Sequence, residues 1–277
     1  MTEDHVPSES DIAAMYDENT DLLAEALGSN IHQGYWDDAD DPATPEQATD
    51  RLTDMVARRL ELRPGMAVLD VGCGSGHSTV RIARLNNVHV TGITNSPYQV
   101  RLGQERPEAG EGPGRASFEL GDGMALPYAD ESFDAAFSIE VIVYMSDRAK
   151  AFAELARTLR PGGTLVTSDF YQDGELTDEE AATIAAARRV FELPPFPDAD
   201  EYRRHMTDAG LRVVAFEDIS DNVRRGSLHI ADAMRRAAAE PGLTEEQVAG
   251  LLESADLTER LGRTRQVRYA QITARKP

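Results

Sequence analysis

The chain contains very little cysteine, tryptophan and lysine. Its 277 residues include one tryptophan and one cysteine, Cys73, and Lys150 and Lys276 are its only lysines. A single cysteine excludes an intramolecular disulfide, so we expect a reducing, cytoplasmic setting. No apolar run of about 18 residues occurs, which excludes a membrane-spanning helix. The first residues lack the basic and apolar regions of a secretory signal, so we expect none.

Basic residues are scarce relative to acidic ones. There are 28 lysines and arginines against 49 acidic residues, giving a formal net charge of −21. Such a surface repels the phosphates of nucleic acids and anionic membranes. We therefore expect a small-molecule partner, with no nucleic acid, no membrane and no bound metal. The sequence leaves a homo-oligomer open.

Short apolar runs alternate with amphipathic segments from Met66 onward. This alternation predicts an α/β fold in which a parallel sheet is covered on both faces. A Pro-Gly-Gly turn at 160–163 is predicted to end a helix that starts near Asp147. The predicted strands are residues 68–71, 88–93, 116–120, 135–139, 164–168, 211–216 and 266–274.

Two regions are predicted along the chain. Residues 1–60 have the pattern of helices around an Asp-rich loop and are expected to form an N-terminal helical lid. Residues 61–277 would form the main domain, with cap insertions at about 171–210 and 221–262. The candidate lid residues are Tyr16, His32, Tyr35 and Trp36, for which plain packing is the alternative.

The most informative stretch is VLDVGCGSG, at residues 68–76. It places a glycine-rich turn directly after a short apolar strand, and glycines allow a backbone to touch a ligand. Asp70, at the end of that strand, can reach into the same crevice. A dinucleotide fingerprint requires G-x-G-x-x-G, but His77 occupies the place of the third glycine. This substitution counts against an NAD(P) oxidoreductase, the rival interpretation on the same sheet.

The pattern D-x-G-x-G-x-G, formed by Asp70, Gly72, Gly74 and Gly76, resembles motif I of the class I S-adenosylmethionine (SAM) dependent methyltransferases. The segments GITNSPYQ, GDGMALPYADESFDAAFSIE and LRPGGTLVTSDF extend this resemblance over about residues 62–175. Nearly the whole chain resembles the rebeccamycin sugar 4-O-methyltransferase type, which acts on small natural products. The resemblance implies a Rossmann-like, doubly wound seven-stranded sheet of order 3-2-1-4-5-7-6 and a role in natural-product or antibiotic biosynthesis.

The resemblance also implies where SAM would bind. Asp70 and the three glycines would hold the methionine end, whose ammonium needs a carboxylate partner. Thr94 and Gln99 would replace the usual ribose-binding acid, unless that segment only caps a helix. Asp122 would accept a hydrogen bond from the adenine amino group, unless it only forms a turn, and the Met124 N–H would serve a ring nitrogen. The remaining candidate cofactor contacts are Gly123, Ser138 and Tyr16.

The expected general base is missing. The rebeccamycin type has a His-His pair after the fourth strand, where this chain has Val143-Tyr144-Met145. The candidate catalytic residues are therefore Asp169, Glu140 and Tyr144, although a phenol is a poor base at neutral pH. Transfer to a sugar or phenol oxygen with Asp169 as base stays open. Transfer to nitrogen or carbon by proximity also stays open and is slightly preferred, since it needs no strong base. SAM binding without turnover is a further alternative.

The acceptor site is expected to lie against the variable helices. No lysine or arginine cluster is predicted in the crevice, which disfavours diphosphate-bearing substrates. The candidate wall residues are Phe170, Tyr171, Phe191, Phe196, His229 and Met234.

Overall fold

The computed structural model describes residues 8–27, 30–106, 109 and 112–277. In this part of the chain, strands in the order β3-β2-β1-β4-β5-β7-β6 form a seven-stranded sheet. β7 is antiparallel to β5 and β6, and the other pairs are parallel. The predicted fold and strand order are confirmed. The strands are β1 (Ala67–Val71), β2 (His89–Thr94), β3 (Arg115–Leu120), β4 (Phe133–Ile139), β5 (Leu159–Gln172), β6 (Arg212–Asp218) and β7 (Val267–Arg275).

Helices cover both faces of the sheet. They are α1 (Glu9–Leu27), α2 (Pro45–Arg59), α3 (His77–Asn86), α4 (Pro97–Gln104), α5 (Arg148–Thr158), α6 (Asp178–Val190), α7 (Ala199–Asp208), α8 (Ser220–Ala237) and α9 (Glu245–Arg263). Within the described ranges, none of these helices has the length and apolar character needed to cross a membrane.

The core consists of two apolar layers, one on each face of the sheet. Successive strand residues point to opposite faces, so Val68 packs with Leu52 of α2 in one layer. Its neighbour Leu69 packs with Phe152 and Leu155 of α5 in the other. β1 and β4 are buried on both faces because helices lie on each side of them. The ends of these central strands are therefore held rigidly, and the site is built there.

The connection from α5 to β5 differs from the prediction. α5 begins at Arg148, capped by the Asp147 side chain as expected, but it passes directly into β5 at Leu159. The predicted turn at 160–163 therefore lies inside a strand. The pairing of β4 with β5 shifts register between Phe133 and Ala135, so the Pro-Gly-Gly segment forms a strand irregularity, a common place for glycine.

The first sixty residues do not all lie apart from the sheet. Leu52, Val56 and Leu60, on or directly after α2, belong to the apolar layer that contains Val68. α1, in contrast, packs mainly against α8. The division into a lid at 1–60 and a main domain with cap insertions at about 171–210 and 221–262 stays a prediction, and α2 behaves as part of the sheet's cover.

Candidate active site

A first cavity of about 1000 Å³ lies at the carboxyl ends of β1, β2 and β4. Ligands of open α/β sheets bind at this edge, where the strand order reverses. Ten of the candidate residues line this cavity: Asp70, Gly72, Gly74, Thr94, Gln99, Asp122, Gly123, Met124, Glu140 and Tyr144.

Close packing explains why glycine occupies Gly72 and Gly74 of the glycine-rich turn. Gly72 has φ +76°, and a Cβ there would overlap the Val141 side chain. At Gly74 a Cβ would lie 2.6 Å from Ile31 Cδ1. The backbone N–H groups of Gly72 and Cys73 both donate to the Ile93 carbonyl, at 2.8 and 2.9 Å. These two N–H groups are therefore hydrogen-bonded to β2 and are not free to bind a ligand.

Gly76 does not line the cavity. It caps the N-terminus of α3 at φ +84°, and a Cβ there would lie 2.5 Å from Phe118 Cε1. Its role in the structure is to end the turn and let α3 pack against β3, and its contact with the cofactor stays a prediction.

Asp70 is buried at the bottom of the first cavity. The Thr79 hydroxyl donates to its Oδ2 at 2.6 Å, and burial raises the pKa of this carboxyl to about 7. Among the described residues, no positively charged side chain lies close enough to lower this pKa. A positively charged group on a ligand would restore the ionised form.

Thr94 and Gln99 act as a pair. The Thr94 hydroxyl donates to Gln99 Oε1 at 2.7 Å, and Gln99 Nε2 donates to Thr20 Oγ1 of α1 at 3.1 Å. The helix-cap role belongs to Ser96, whose hydroxyl accepts the Gln99 N–H at 3.0 Å. The Thr94 and Gln99 side chains therefore do not cap α4, and both lie on the cavity wall.

Asp122 is placed as expected, but Met124 is not free to act as predicted. Asp122 Oδ1 accepts the Met124 N–H at 2.7 Å, a side-chain turn that Asp-Gly sequences favour. That N–H is therefore hydrogen-bonded within the protein and is not free for a ring nitrogen of the adenine. At Gly123 a Cβ would lie 2.6 Å from Met145 Cε and 2.9 Å from Val71 Cγ1, so a side chain there would displace its neighbours.

For two other candidate cofactor residues, Ser138 and Tyr16, the described part of the structure shows no side chain in the first cavity. The buried Ser138 hydroxyl hydrogen-bonds Thr167 Oγ1 at 2.8 Å, between β4 and β5, and Ser138 is not in the wall. The side chain of Tyr16 lies outside the described residues. On the same helix, Ile12 lines the first cavity.

A second cavity, of about 1340 Å³, adjoins the first. Ile31, Glu140 and Tyr144 line both cavities, so the two meet at these residues. Four of the candidate acceptor-wall residues line the second cavity: Phe170, Phe191, Phe196 and Met234. The other two do not, because Tyr171 packs against Phe216 in the core and His229 stacks on Trp36 at 5.4 Å.

The second cavity also contains arginines, contrary to the prediction. Arg224 and Arg268 line it. Arg224 Nη1 donates to the carbonyls of Gly262 and Thr264, at 3.0 and 3.2 Å, and Arg268 pairs with Asp218. Both guanidinium groups have partners in the protein, although the buried Arg268 Nε forms no hydrogen bond with any residue that the structure describes.

Glu140 occupies the junction of the two cavities. Its Oε1 accepts the Gln33 backbone N–H at 2.6 Å and the Tyr269 hydroxyl at 3.0 Å. Burial raises the pKa of this carboxyl to about 8. Glu140 also has φ +57°, a conformation that costs free energy and clusters at functional sites.

Asp169 lies elsewhere. It is 1% exposed, lines neither cavity, and accepts the backbone N–H groups of Val143 and Phe170 at 3.0 and 2.8 Å. Burial raises the pKa of its carboxyl to about 7. In this position Asp169 orders the short 3-10 turn Ile142–Tyr144, which brings Tyr144 to the junction.

The sequence predicts His32 as a lid residue, and the structure places it in the wall of the first cavity. It lines the first cavity, and its Nε2 hydrogen-bonds Ser78 Oγ at 3.0 Å while its Nδ1 hydrogen-bonds the Gln33 carbonyl at 2.8 Å. Burial lowers the pKa of His32 to about 4, so the ring is neutral at physiological pH. No spacing rule could have paired it with Ser78, forty-six residues away.

Known proteins resemble this chain over most of its length. A family model for a methyltransferase domain matches residues 68–163. The chain is 40% identical over 215 residues to the O-methyltransferase rstn1 of Aspergillus nomiae, covering 78% of this chain and 95% of that protein. It is 39% identical over 281 residues to 27-O-demethylrifamycin SV methyltransferase of Amycolatopsis mediterranei, covering 98% of each.

Solved structures agree over almost the whole chain. The [4+2]-cyclase SpnF superposes with a TM-score of 0.83 at 33% identity, covering 98% of this chain and 97% of that one. The cyclopropane synthase MmaA2 from Mycobacterium tuberculosis superposes with a TM-score of 0.85 at 22% identity, covering 99% of this chain and 100% of that one. The second similarity concerns the fold alone.

Proposed function

Since this chain belongs to the class I SAM-dependent methyltransferases, we propose that it methylates a hydroxyl oxygen of an apolar metabolite held in the second cavity, with Glu140 as the base. Family membership itself establishes a SAM-dependent methyltransferase that acts on small metabolites. It also removes the NAD(P) oxidoreductase from consideration. The proposal concerns the acceptor atom and the residues.

The first cavity fits SAM by its chemistry. Asp70 is a buried carboxyl without a cationic partner among the residues that the structure describes, suited to the ammonium group of the methionine part. Thr94, Gln99 and Asp122 line the same cavity and offer polar groups to the ribose and the adenine. When bound, SAM supplies an electrophilic methyl group on a sulfonium. We propose Asp70, Gly72, Gly74, Thr94, Gln99, Asp122 and Gly123 as its contacts.

The single observation that favours oxygen is the position of Glu140. It lines both cavities, so its carboxylate can reach a group of the acceptor that faces the methyl donor. A hydroxyl must lose its proton to attack, and a carboxyl with a pKa of about 8 is matched to that task near neutral pH. The O-methyltransferases among the relatives support the same choice.

The other residues would orient and exclude water. Tyr269 donates to Glu140 Oε1 and the Gln33 N–H fixes the same oxygen, which leaves Oε2 for the acceptor hydroxyl. Tyr144 lies beside it on both cavity walls. Asp169 would act as a positioning residue through the turn that holds Tyr144. Holding the reacting groups together supplies much of the rate enhancement.

The cavity walls favour an apolar acceptor over a sugar. Phe170, Phe191 and Phe196 are among the residues that line the second cavity, and the imidazole pair of the rebeccamycin type is absent. A polycyclic or macrocyclic aglycone fits these walls better than a free sugar does. We retain rebeccamycin-type sugar methylation as the less supported alternative.

The experiment incubates the protein with SAM labelled with carbon-13 at the methyl group and a panel of apolar aglycones bearing hydroxyl, amine or indole groups. We expect a mass gain of one methylene unit with hydroxylated members only. Nuclear magnetic resonance of the labelled product should locate the methyl on oxygen. Methylation of an amine or carbon would overturn the oxygen assignment, and SAM binding without any transfer would favour a non-catalytic role.

A further inference from the structure

Gln33 has a buried side-chain amide whose oxygen lacks a partner among the described residues. The residue is 5% exposed, and its Oε1 forms no hydrogen bond with any residue that the structure describes. Buried amides are almost always hydrogen-bonded, so an exception needs an explanation. Gln33 lines the second cavity, so a ligand in that cavity can reach the part of the amide that the protein leaves uncovered.

The backbone of Gln33 is fixed beside the proposed base. Its N–H donates to Glu140 Oε1 at 2.6 Å, and its carbonyl hydrogen-bonds His32 Nδ1 at 2.8 Å. The side-chain amide therefore stays within one side-chain length of the Glu140 carboxylate. A ligand group that hydrogen-bonds this amide would therefore lie on the same side of the second cavity as the Glu140 carboxylate.

α8 leaves space for the amide at one position. A Cβ on Gly226 would overlap Gln33 Oε1, so the absence of a side chain there lets the amide oxygen rest against the helix. With Oε1 covered by α8, the NH2 end is the part of the amide left to meet a ligand. An amide NH2 group donates hydrogen bonds.

We propose that Gln33 Nε2 donates a hydrogen bond to an acceptor oxygen adjacent to the hydroxyl that is methylated. The preferred acceptors are then apolar aglycones with two neighbouring oxygens, such as ortho-diphenols or ortho-hydroxy ketones. This inference rests on the proposed function, because it assumes that Glu140 faces the methylated hydroxyl. Sites that hydrogen-bond a substrate group discriminate strongly against analogues that lack it.

Two probes differ only in the second oxygen. Alizarin has two adjacent hydroxyls, and its monohydroxy analogue keeps only the one remote from the ring carbonyl. Calorimetry measures their binding to the protein saturated with S-adenosylhomocysteine, so the test does not depend on turnover. We expect the wild type to bind alizarin about tenfold more tightly than the analogue, the change that one hydrogen bond makes.

Gln33→Met removes the hydrogen bond while keeping the side-chain length and the backbone N–H. We expect the affinity ratio to fall to about one through weaker binding of alizarin, with the affinity of the analogue unchanged. SAM affinity should stay the same, because Gln33 does not line the first cavity. Gln247→Met, at an exposed position outside both cavities, is the matched control and should keep the wild-type ratio.

Gly226→Ala provides an independent perturbation, since the new Cβ must push the amide aside. It should lower the ratio in the wild type and have no further effect in Gln33→Ala, because the clashing group is then gone. An unchanged ratio in Gln33→Met, or equal binding of the two probes to the wild type, would overturn this inference alone. Binding of neither probe would overturn the proposed acceptor cavity as well.

Discussion

At the scale of single residues, three buried carboxyl groups show how surroundings divide roles. Asp70, Glu140 and Asp169 all have raised pKa values because burial disfavours their charged forms. Asp70 lies in the first cavity alone, Glu140 lines both cavities, and Asp169 lines neither. The same functional group thus differs in what it can contact, and we propose cofactor binding for Asp70, proton removal for Glu140 and loop positioning for Asp169.

Glu140→Gln tests the proposed base. The amide keeps the shape but cannot take a proton, so we expect kcat to fall by about 10²- to 10⁴-fold with SAM affinity little changed. In the wild type kcat/KM should rise with pH to a plateau above about 8, following the pKa of Glu140. The variant's residual activity should lack this rise. Glu61→Gln, at an exposed site, is the control, and a wild-type profile in Glu140→Gln would rule out this base.

Gly72→Ala tests the glycine-rich turn against a control with the same backbone strain. Gly72 and Gly162 both have φ near +80°, at +76° and +79°, but only at Gly72 would a Cβ overlap a side chain, that of Val141 on the cavity wall. We expect Gly72→Ala to weaken SAM binding at least about tenfold by calorimetry, since the wall must shift. Gly162→Ala should retain the affinity. Equal losses in both would attribute the effect to strain alone.

At the scale of elements, α1 joins the two cavities. Ile12 lines the first cavity and Met15 the second. The same helix hydrogen-bonds α4 and its cap, through Asp17 to Ser96 and through Asp21 to the Tyr98 hydroxyl at 2.8 Å. Because α1 lines both cavities, we expect its opening to govern the exchange of ligands with solvent.

Tyr98→Phe tests this connection without touching a cavity wall. Loss of the hydroxyl removes the bond to Asp21, and we expect faster hydrogen exchange of the α1 amides in the ligand-free protein. SAM affinity should fall by about two- to tenfold, the range for one hydrogen bond. Tyr128→Phe is the matched control, because its hydroxyl also donates to a carboxylate, that of Glu119, at 2.9 Å. If the α1 amides exchange at the same rate in both variants, the stability of the helix does not depend on the Tyr98–Asp21 hydrogen bond.

At the scale of the whole molecule, buried ionisable groups link stability to pH. The raised pKa values of Asp70, Asp169 and Glu140, about 7, 7 and 8, mean that the folded state binds more protons than the unfolded state above about pH 4. Their contribution to the free energy of unfolding therefore falls as pH rises toward 8. His32 opposes this, since its lowered pKa of about 4 makes stability rise between pH 4 and about 6.5.

The net fall should consequently be clearest between about pH 6.5 and 8. Urea denaturation across this range should give a decreasing free energy of unfolding in the wild type. Glu140→Gln cannot ionise at this position, so its stability should depend less on pH in the same interval. A wild-type free energy that rises between pH 6.5 and 8 would contradict the assignment of these buried carboxyls.

The sequence was sufficient where function requires a local pattern. The turn from Asp70 to Gly76 is a continuous segment, and its glycines are required by local φ values and close contacts. Prediction was poorer where a hydrogen bond decides which atoms are free. The Met124 N–H is occupied by Asp122, and the Gly72 N–H by Ile93.

The sequence by itself determined the α/β sheet, the methyl donor and ten of the residues that line the first cavity, because alternating apolar runs and a short glycine motif act over neighbouring residues. Only the tertiary structure decided that Glu140, not Asp169, lies between the two cavities. It also placed Gln33 against Gly226, almost two hundred residues later. Contacts between distant segments depend on how helices pack over the sheet, and spacing along the chain does not record that packing.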